Sequence, residues 1–188
     1  MMRAALLLID FQSGFDAPGW GARNNPQAEA RAARLPGHWR GARAPVIHVR
    51  HLSREQGSPL TPETGGTAFK PGLGPQDGEP VFGKRVNSTF IGTALEAHLH
   101  EAGLGALVIC GLTTPHCVST TVRMAANLGF DVTLAHDACA AFATNADTGW
   151  KVGTAPMDAQ AIHDSAVSHL HGEFARAVDV EELLDTAP

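Results

Sequence analysis

Apolar residues fall along the chain in short continuous runs at 4–9, 46–50, 80–82, 106–110, 131–135 and 177–178. Such runs mark strands buried on both faces, because helices covering a parallel sheet leave no solvent face for polar residues. Between them lie stretches with helical spacing of apolar positions: 26–43, interrupted at Pro36, then 93–102, 115–128, and 157–175, which breaks at Gly172. Strand and helix alternate, which predicts an α/β domain of three layers, a doubly wound parallel sheet with right-handed crossovers. Two segments escape the alternation. One is 11–25. The other, 52–79, is rich in Gly and Pro, and a connection of that length inside a compact domain is expected to be a lid or binding loop.

Composition narrows the class. The chain has 188 residues, 44% hydrophobic and 18% charged, with a formal charge of −5. That fits one domain over 1–188 and offers no basic face for nucleic acid or an anionic membrane. The apolar run at 4–9 is cut short by Asp10, so neither a membrane span nor a signal peptide is expected. Cys110, Cys117 and Cys139 form no paired zinc or disulfide spacing, which points to a reducing cytoplasm.

Ligands of open α/β sheets bind beyond the carboxyl ends of the strands. Asp10 ends the first strand, Lys84 follows the short third run, and Cys117 follows the fourth in Thr113-Thr114-Pro115-His116-Cys117. Thr114 as N-cap and Pro115 as first helical residue would place Cys117 in the first turn of a helix, where the dipole favours a thiolate. Taken singly, each has an ordinary alternative: a packed thiol, a loop-capping Asp, a surface lysine. Cys110 and Cys139 read as packing residues. The combination of carboxylate, ammonium and thiol at strand ends is what raises all three.

On these residues the chain resembles the isochorismatase-like cysteine hydrolases, a family that includes nicotinamidases, N-carbamoylsarcosine amidases and ureido-acid hydrolases. The resemblance runs from Leu6 to about Phe174 and rests on Leu7-Leu8-Ile9-Asp10-Phe11-Gln12, on Gly83-Lys84-Arg85-Val86-Asn87-Ser88, and on Gly111-Leu112-Thr113-Thr114-Pro115-His116-Cys117-Val118. It implies a six-stranded parallel sheet of order 3-2-1-4-5-6 and a triad of Asp10, Lys84 and Cys117. It also implies a cis peptide at Leu112-Thr113, an oxyanion hole from the backbone N–H groups of Thr113 and Cys117, and hydrolysis of a small amide, carbamoyl or lactam C–N bond through a thioester. Homodimers or homotetramers are implied too, with Trp150 and the helices after Gly149 offering apolar surface.

Candidate substrate contacts are Phe15, Trp20, Phe90, His116 and Phe142, aromatic or amphipathic residues near the motifs or in the first loop, with Asn24 and Asn25 as groups that could orient polar parts of a substrate. No cofactor and no metal are expected. The metal-using relatives carry an Asp and His cluster after the second strand, whereas here His48 and His51 stand three apart, on opposite faces of a strand, with Arg50 between them. The remaining histidines read as structural or surface residues. Alternatives are vinyl ether hydrolysis of the isochorismatase type, disfavoured by Cys117, and a non-catalytic or redox thiol protein. A dinucleotide-binding oxidoreductase is disfavoured because the turn after the first strand has no glycine-rich phosphate cradle.

Overall fold

The computed structural model describes residues 4–188. Its six strands are β1 (Ala4–Ile9), β2 (Val46–His51), β3 (Val81–Lys84), β4 (Ala106–Leu112), β5 (Asp131–Ala140) and β6 (Arg176–Val178). The helices are α1 (Ala28–Ala32), α2 (Arg34–Gly41), α3 (Leu95–Glu101), α4 (Ser119–Asn127), α5 (Ala159–Ser168) and α6 (Val180–Leu184). All strand pairs are parallel and the order is β3-β2-β1-β4-β5-β6, as expected from the resemblance. The chain reverses direction of winding between β1 and β4, and these two are the central neighbours. Residues 5–9 of β1 are almost wholly buried, which is why that run shows no alternation.

Boundaries shift where local chemistry was not visible in the pattern. The first helical stretch divides at Ala33 and not at Pro36, which lies in the first turn of α2, where a missing N–H leaves no bond unmade. Strand β5 continues five residues beyond the expected end at 135, to Ala140, because pairing with β4 resumes after an irregularity between Ile109 and Gly111. Gly111 sits at φ 154°, and a Cβ there would stand 2.2 Å from the Ile9 carbonyl oxygen. Only glycine lets β4 come that close to β1 at the strand ends. Helix α5 ends at Ser168, ahead of a turn in which Gly172 takes a φ of 86°.

The long connection 52–79 is packed against the sheet end. The Lys70 N–H donates to the Phe11 carbonyl and Leu73 is buried, so its later part lies over the loop that follows β1. Its last residue, Glu79, is bound at several points: Arg40 donates to both carboxylate oxygens at 2.7 and 2.8 Å, the Gln76 N–H donates at 2.8 Å, and His48 Nε2 lies 2.9 Å away. Among the described residues, no helix is long and apolar enough to cross a membrane.

Glu79 also gives the fold an acid-sensitive tie. Burial works to raise its pKa, but hydrogen bonds from Arg40, Gln76 and His48 outweigh burial and take it from 4.5 to about 2. A carboxyl depressed in the folded state stabilises above its unfolded pKa and loses that contribution as pH falls toward the folded value. Glu79→Gln is therefore expected to lower stability by about 1–3 kcal/mol at neutral pH, with the gap to wild type narrowing as pH falls from 4.5 toward 2. Thermal melts of both proteins across that range check it.

Candidate active site

Asp10 follows β1 with φ 55°, in the left-handed region that Asp tolerates better than most residues. Its N–H donates to the Val49 carbonyl on β2, and its side chain is wholly enclosed. Lys84 is the last residue of β3, directly paired in register with His51 at the end of β2. Cys117 lies in a π-helical turn, Thr114–Val118, which precedes α4. The peptide Leu112-Thr113 at the head of that turn is cis. Thr114 does not cap the helix as expected: its hydroxyl meets Nδ1 of His163 on α5 at 2.8 Å, and Thr113 stands in the capping position.

The sheet order brings the three strand-end groups together. The Lys84 ammonium donates to Asp10 Oδ2 at 2.6 Å and to Cys117 Sγ at 3.1 Å, and His51 Nδ1 accepts from it at 3.1 Å. The Asp10 and Lys84 side chains are both fully buried. Asn87 Oδ1 lies 3.7 Å from the Cys117 sulfur, within reach of its S–H. Asp10 Oδ1 is buried without a hydrogen-bond partner among the described residues.

Burial and charge compete at each group. Burial raises the Asp10 pKa, and the neighbouring Lys84 charge only partly reverses this. Burial also acts against the Lys84 ammonium, but attraction to Asp10 and Cys117 outweighs it, so the lysine stays protonated. For Cys117, burial and then the Asp10 charge push the thiol up to about 12, against the pull of Lys84. The expectation of a thiolate favoured by the helix start is thus corrected: desolvation and the adjacent carboxylate prevail, and the resting residue is a thiol. Cys110 and Cys139 are fully enclosed, as packing residues should be.

Cys117 opens onto a cavity of about 480 Å³. Of the expected contacts, Phe15, Trp20 and His116 line it. Phe142 stands one layer behind, its ring 6.1 Å from that of Phe15 and 5.7 Å from that of Trp20, where it props both. Phe90 is not brought to the cavity; it stacks on Phe130 in the core. Asn25 donates to the Cys139 carbonyl and Asn24 accepts from the Ala141 N–H, so both tie the loop after β1 to the end of β5. Much of the polar wall comes from Arg54, Glu55, Arg85 and Asn87, which no pattern along the chain marks as contacts.

Asp10, His51 and Cys117 each offer one possible ligand atom, and all three atoms lie within 4.8 Å of one another. All three are hydrogen-bonded to the Lys84 ammonium or within its field. A cation placed among these atoms would meet that ammonium at contact distance, so the donor set does not fit a metal while Lys84 is protonated. His48 turns away, toward Glu79 and the Leu73 carbonyl.

Comparison with known proteins agrees with this architecture. The family model described as the isochorismatase domain matches residues 4–181. The chain is 41% identical to the uncharacterized isochorismatase family protein YrdC of Bacillus subtilis, over 97% of this chain and 95% of that protein. It is 34% identical to a streptothricin hydrolase of Streptomyces noursei, over 73% of this chain and 50% of that one. With a maleamate amidohydrolase of Pseudomonas putida it shares 29% identity over 68% of each. A crystal structure of an isochorismatase family protein from Chromobacterium violaceum superposes with a TM-score of 0.90 at 43% identity, covering 97% of this chain and 92% of that one. With the sheet order, the strand-end cluster and these matches in agreement, the chain belongs to the isochorismatase family of hydrolases.

Proposed function

We propose that the chain is a cysteine-dependent hydrolase that cleaves a C–N bond of a small amide, carbamoyl or lactam substrate through a thioester. The observation that carries this reading is the buried ammonium of Lys84 bridging the Asp10 carboxylate and the sulfur of Cys117, a residue that lines a cavity of small-molecule size. The names of two relatives, a streptothricin hydrolase and a maleamate amidohydrolase, lend it support.

Because the resting thiol is neutral, attack requires a base, and Asp10 is the carboxylate within reach. As sulfur bonds to the substrate carbonyl carbon, the thiol proton passes to Asp10 and the carbonyl oxygen gains the negative charge. Backbone N–H groups of Thr113 and Cys117 are assigned to that oxyanion; both residues line the cavity. Asp10 then returns the proton to the departing nitrogen, the C–N bond breaks, and a thioester remains. Water attacks the thioester carbon while Asp10 takes its proton; the C–S bond breaks, and the proton goes back to the sulfur. Lys84 keeps its charge throughout and stabilises whichever neighbour is anionic. Phe15 and Trp20 form an apolar wall for the substrate body.

Incubation with a panel of small carboxamides, ureido acids and lactams, followed by intact-mass analysis, is expected to show an acyl adduct that maps to Cys117 and to release ammonia or an amine. Cys117→Ala should form no adduct and no product. Turnover by that variant equal to wild type would end the covalent reading.

Asp10→Asn separates the two roles of the carboxylate. Hydrolysis is expected to fall by about 10²–10⁴-fold, the usual worth of a positioned base. The midpoint for alkylation of Cys117 by iodoacetamide should instead move down by about one pH unit or more, because the charge that raises the thiol is gone. A midpoint that stays put or rises would refute the assigned electrostatics.

A further inference from the structure

An ammonium has three protons, and in this site each one has a separate acceptor: Asp10 Oδ2 at 2.6 Å, Cys117 Sγ at 3.1 Å and His51 Nδ1 at 3.1 Å. The first two belong to the reaction proposed above. The third has no part in it, yet it is as close as the contact to sulfur. A protonated lysine can only donate, so the His51 nitrogen that faces it must present a lone pair. That fixes the tautomer, with the ring proton on Nε2.

The backbone of His51 is held as firmly as its ring. Gln12, fully buried two residues after Asp10, donates from Nε2 to the His51 carbonyl at 3.0 Å, while the His51 N–H donates to Gln12 Oε1 at 2.7 Å. Strand pairing sets His51 directly beside Lys84. His51 also lines the cavity, and the ring nitrogen that meets Lys84 is Nδ1.

Resting on the thioester reading, we propose that His51 is a positioning residue: its Nδ1 lone pair holds the third proton of the Lys84 ammonium, and its Nε2–H is left facing the cavity as a donor. The consequence for the reaction is geometric. With all three protons engaged the ammonium cannot rotate, so one N–H stays aimed at the sulfur as the thiolate forms. Without the imidazole, one buried N–H would lack an acceptor, and the ammonium would shift toward Asp10 or lose its proton. Either outcome leaves the thiolate with less cationic support.

Several charges bear on the ring. Lys84 and the enclosing protein favour the neutral form, which agrees with a pKa lowered to about 4 by burial first and the ammonium second. Asp10 and Cys117 each bring an acceptor atom within 4.8 Å of one on the ring, and Arg54, Glu55 and Arg85 stand at the cavity wall with His116. The net of these keeps an unprotonated Nδ1 through the neutral range.

The test uses thiol chemistry, which needs no identified substrate. Iodoacetamide alkylation of Cys117 is followed against pH in wild type, His51→Gln and His51→Phe, with folding checked by thermal melts. Gln keeps an acceptor near Lys84, whereas Phe keeps the ring volume and removes it. His51→Phe is expected to alkylate at least about threefold more slowly near pH 8, the equivalent of a midpoint moved up by about half a pH unit or more, while His51→Gln stays within about twofold of wild type. An unmoved or lowered midpoint in His51→Phe, or His51→Gln impaired as strongly, overturns the proposal. Should His51→Phe not fold, nitrogen NMR of the wild-type ring decides: an Nε2–H tautomer that does not titrate between about pH 5 and 8 supports the role, and an Nδ1–H tautomer or a midpoint near 6.5 refutes it. Failure of the thioester reading would appear separately, as the absence of any acyl adduct on Cys117.

Discussion

The ammonium of Lys84 is fully enclosed, and a buried cation persists only where each of its protons finds an acceptor and its charge finds a counterion. Asp10 supplies the counterion, and Cys117 and His51 complete the set. These partners come from the ends of different strands, so the cluster depends on the relative height of β1, β2, β3 and β4. Direct pairing of His51 with Lys84 sets one height, and the close approach of Gly111 to Ile9 sets another. The geometry of the cluster is in this sense a property of sheet register.

The resting thiol follows from the same enclosure. A surface cysteine beside a lysine would be expected to ionise more readily, but here desolvation and the Asp10 charge act together against the thiolate. On the proposed reading, transfer of the proton to Asp10 removes the carboxylate charge as the sulfur gains one, so Lys84 faces a single anion before and after. Asp10 can accept that proton because its own pKa is raised by burial, and its unpartnered Oδ1 is the free position for it. The opposing pulls of burial and Lys84 on Asp10 are thereby resolved in favour of burial.

Much of this was legible in the residues. Continuous apolar runs located the strands, because a sheet covered on both faces leaves no polar alternation. Polar residues directly after those runs located Asp10, Lys84 and Cys117, because strand ends are where an α/β sheet is open. What escaped depended on register and on competition between partners. His51 read as one of two histidines on a strand, and nothing along the chain reveals that it stands beside Lys84 across a parallel pair. Thr114 had the makings of an N-cap until a histidine about fifty residues later took its hydroxyl. Asn24 and Asn25 have the polarity, and Phe90 the size and nearness to a motif, of substrate contacts, yet their side chains serve loop anchoring and core stacking. Residues 52–60 illustrate the converse. Their composition marks a loop, and only the fold shows that Ser53, Arg54 and Glu55 wall the cavity.

The strongest constraint on the chemistry is that the positive charge at the centre is covalently part of the chain. Asp10, His51 and Cys117 would make a plausible ligand trio if Lys84 were absent, and the ammonium is what takes up their lone pairs. A metal there would bind the sulfur as a thiolate and hold it, whereas an ammonium donates a hydrogen bond that can be exchanged as charge moves among its neighbours. The site gains a cation that neither dissociates nor claims the sulfur. It does so only while the ammonium remains protonated and aimed, and the acceptors that share its protons with the sulfur are what fix that aim.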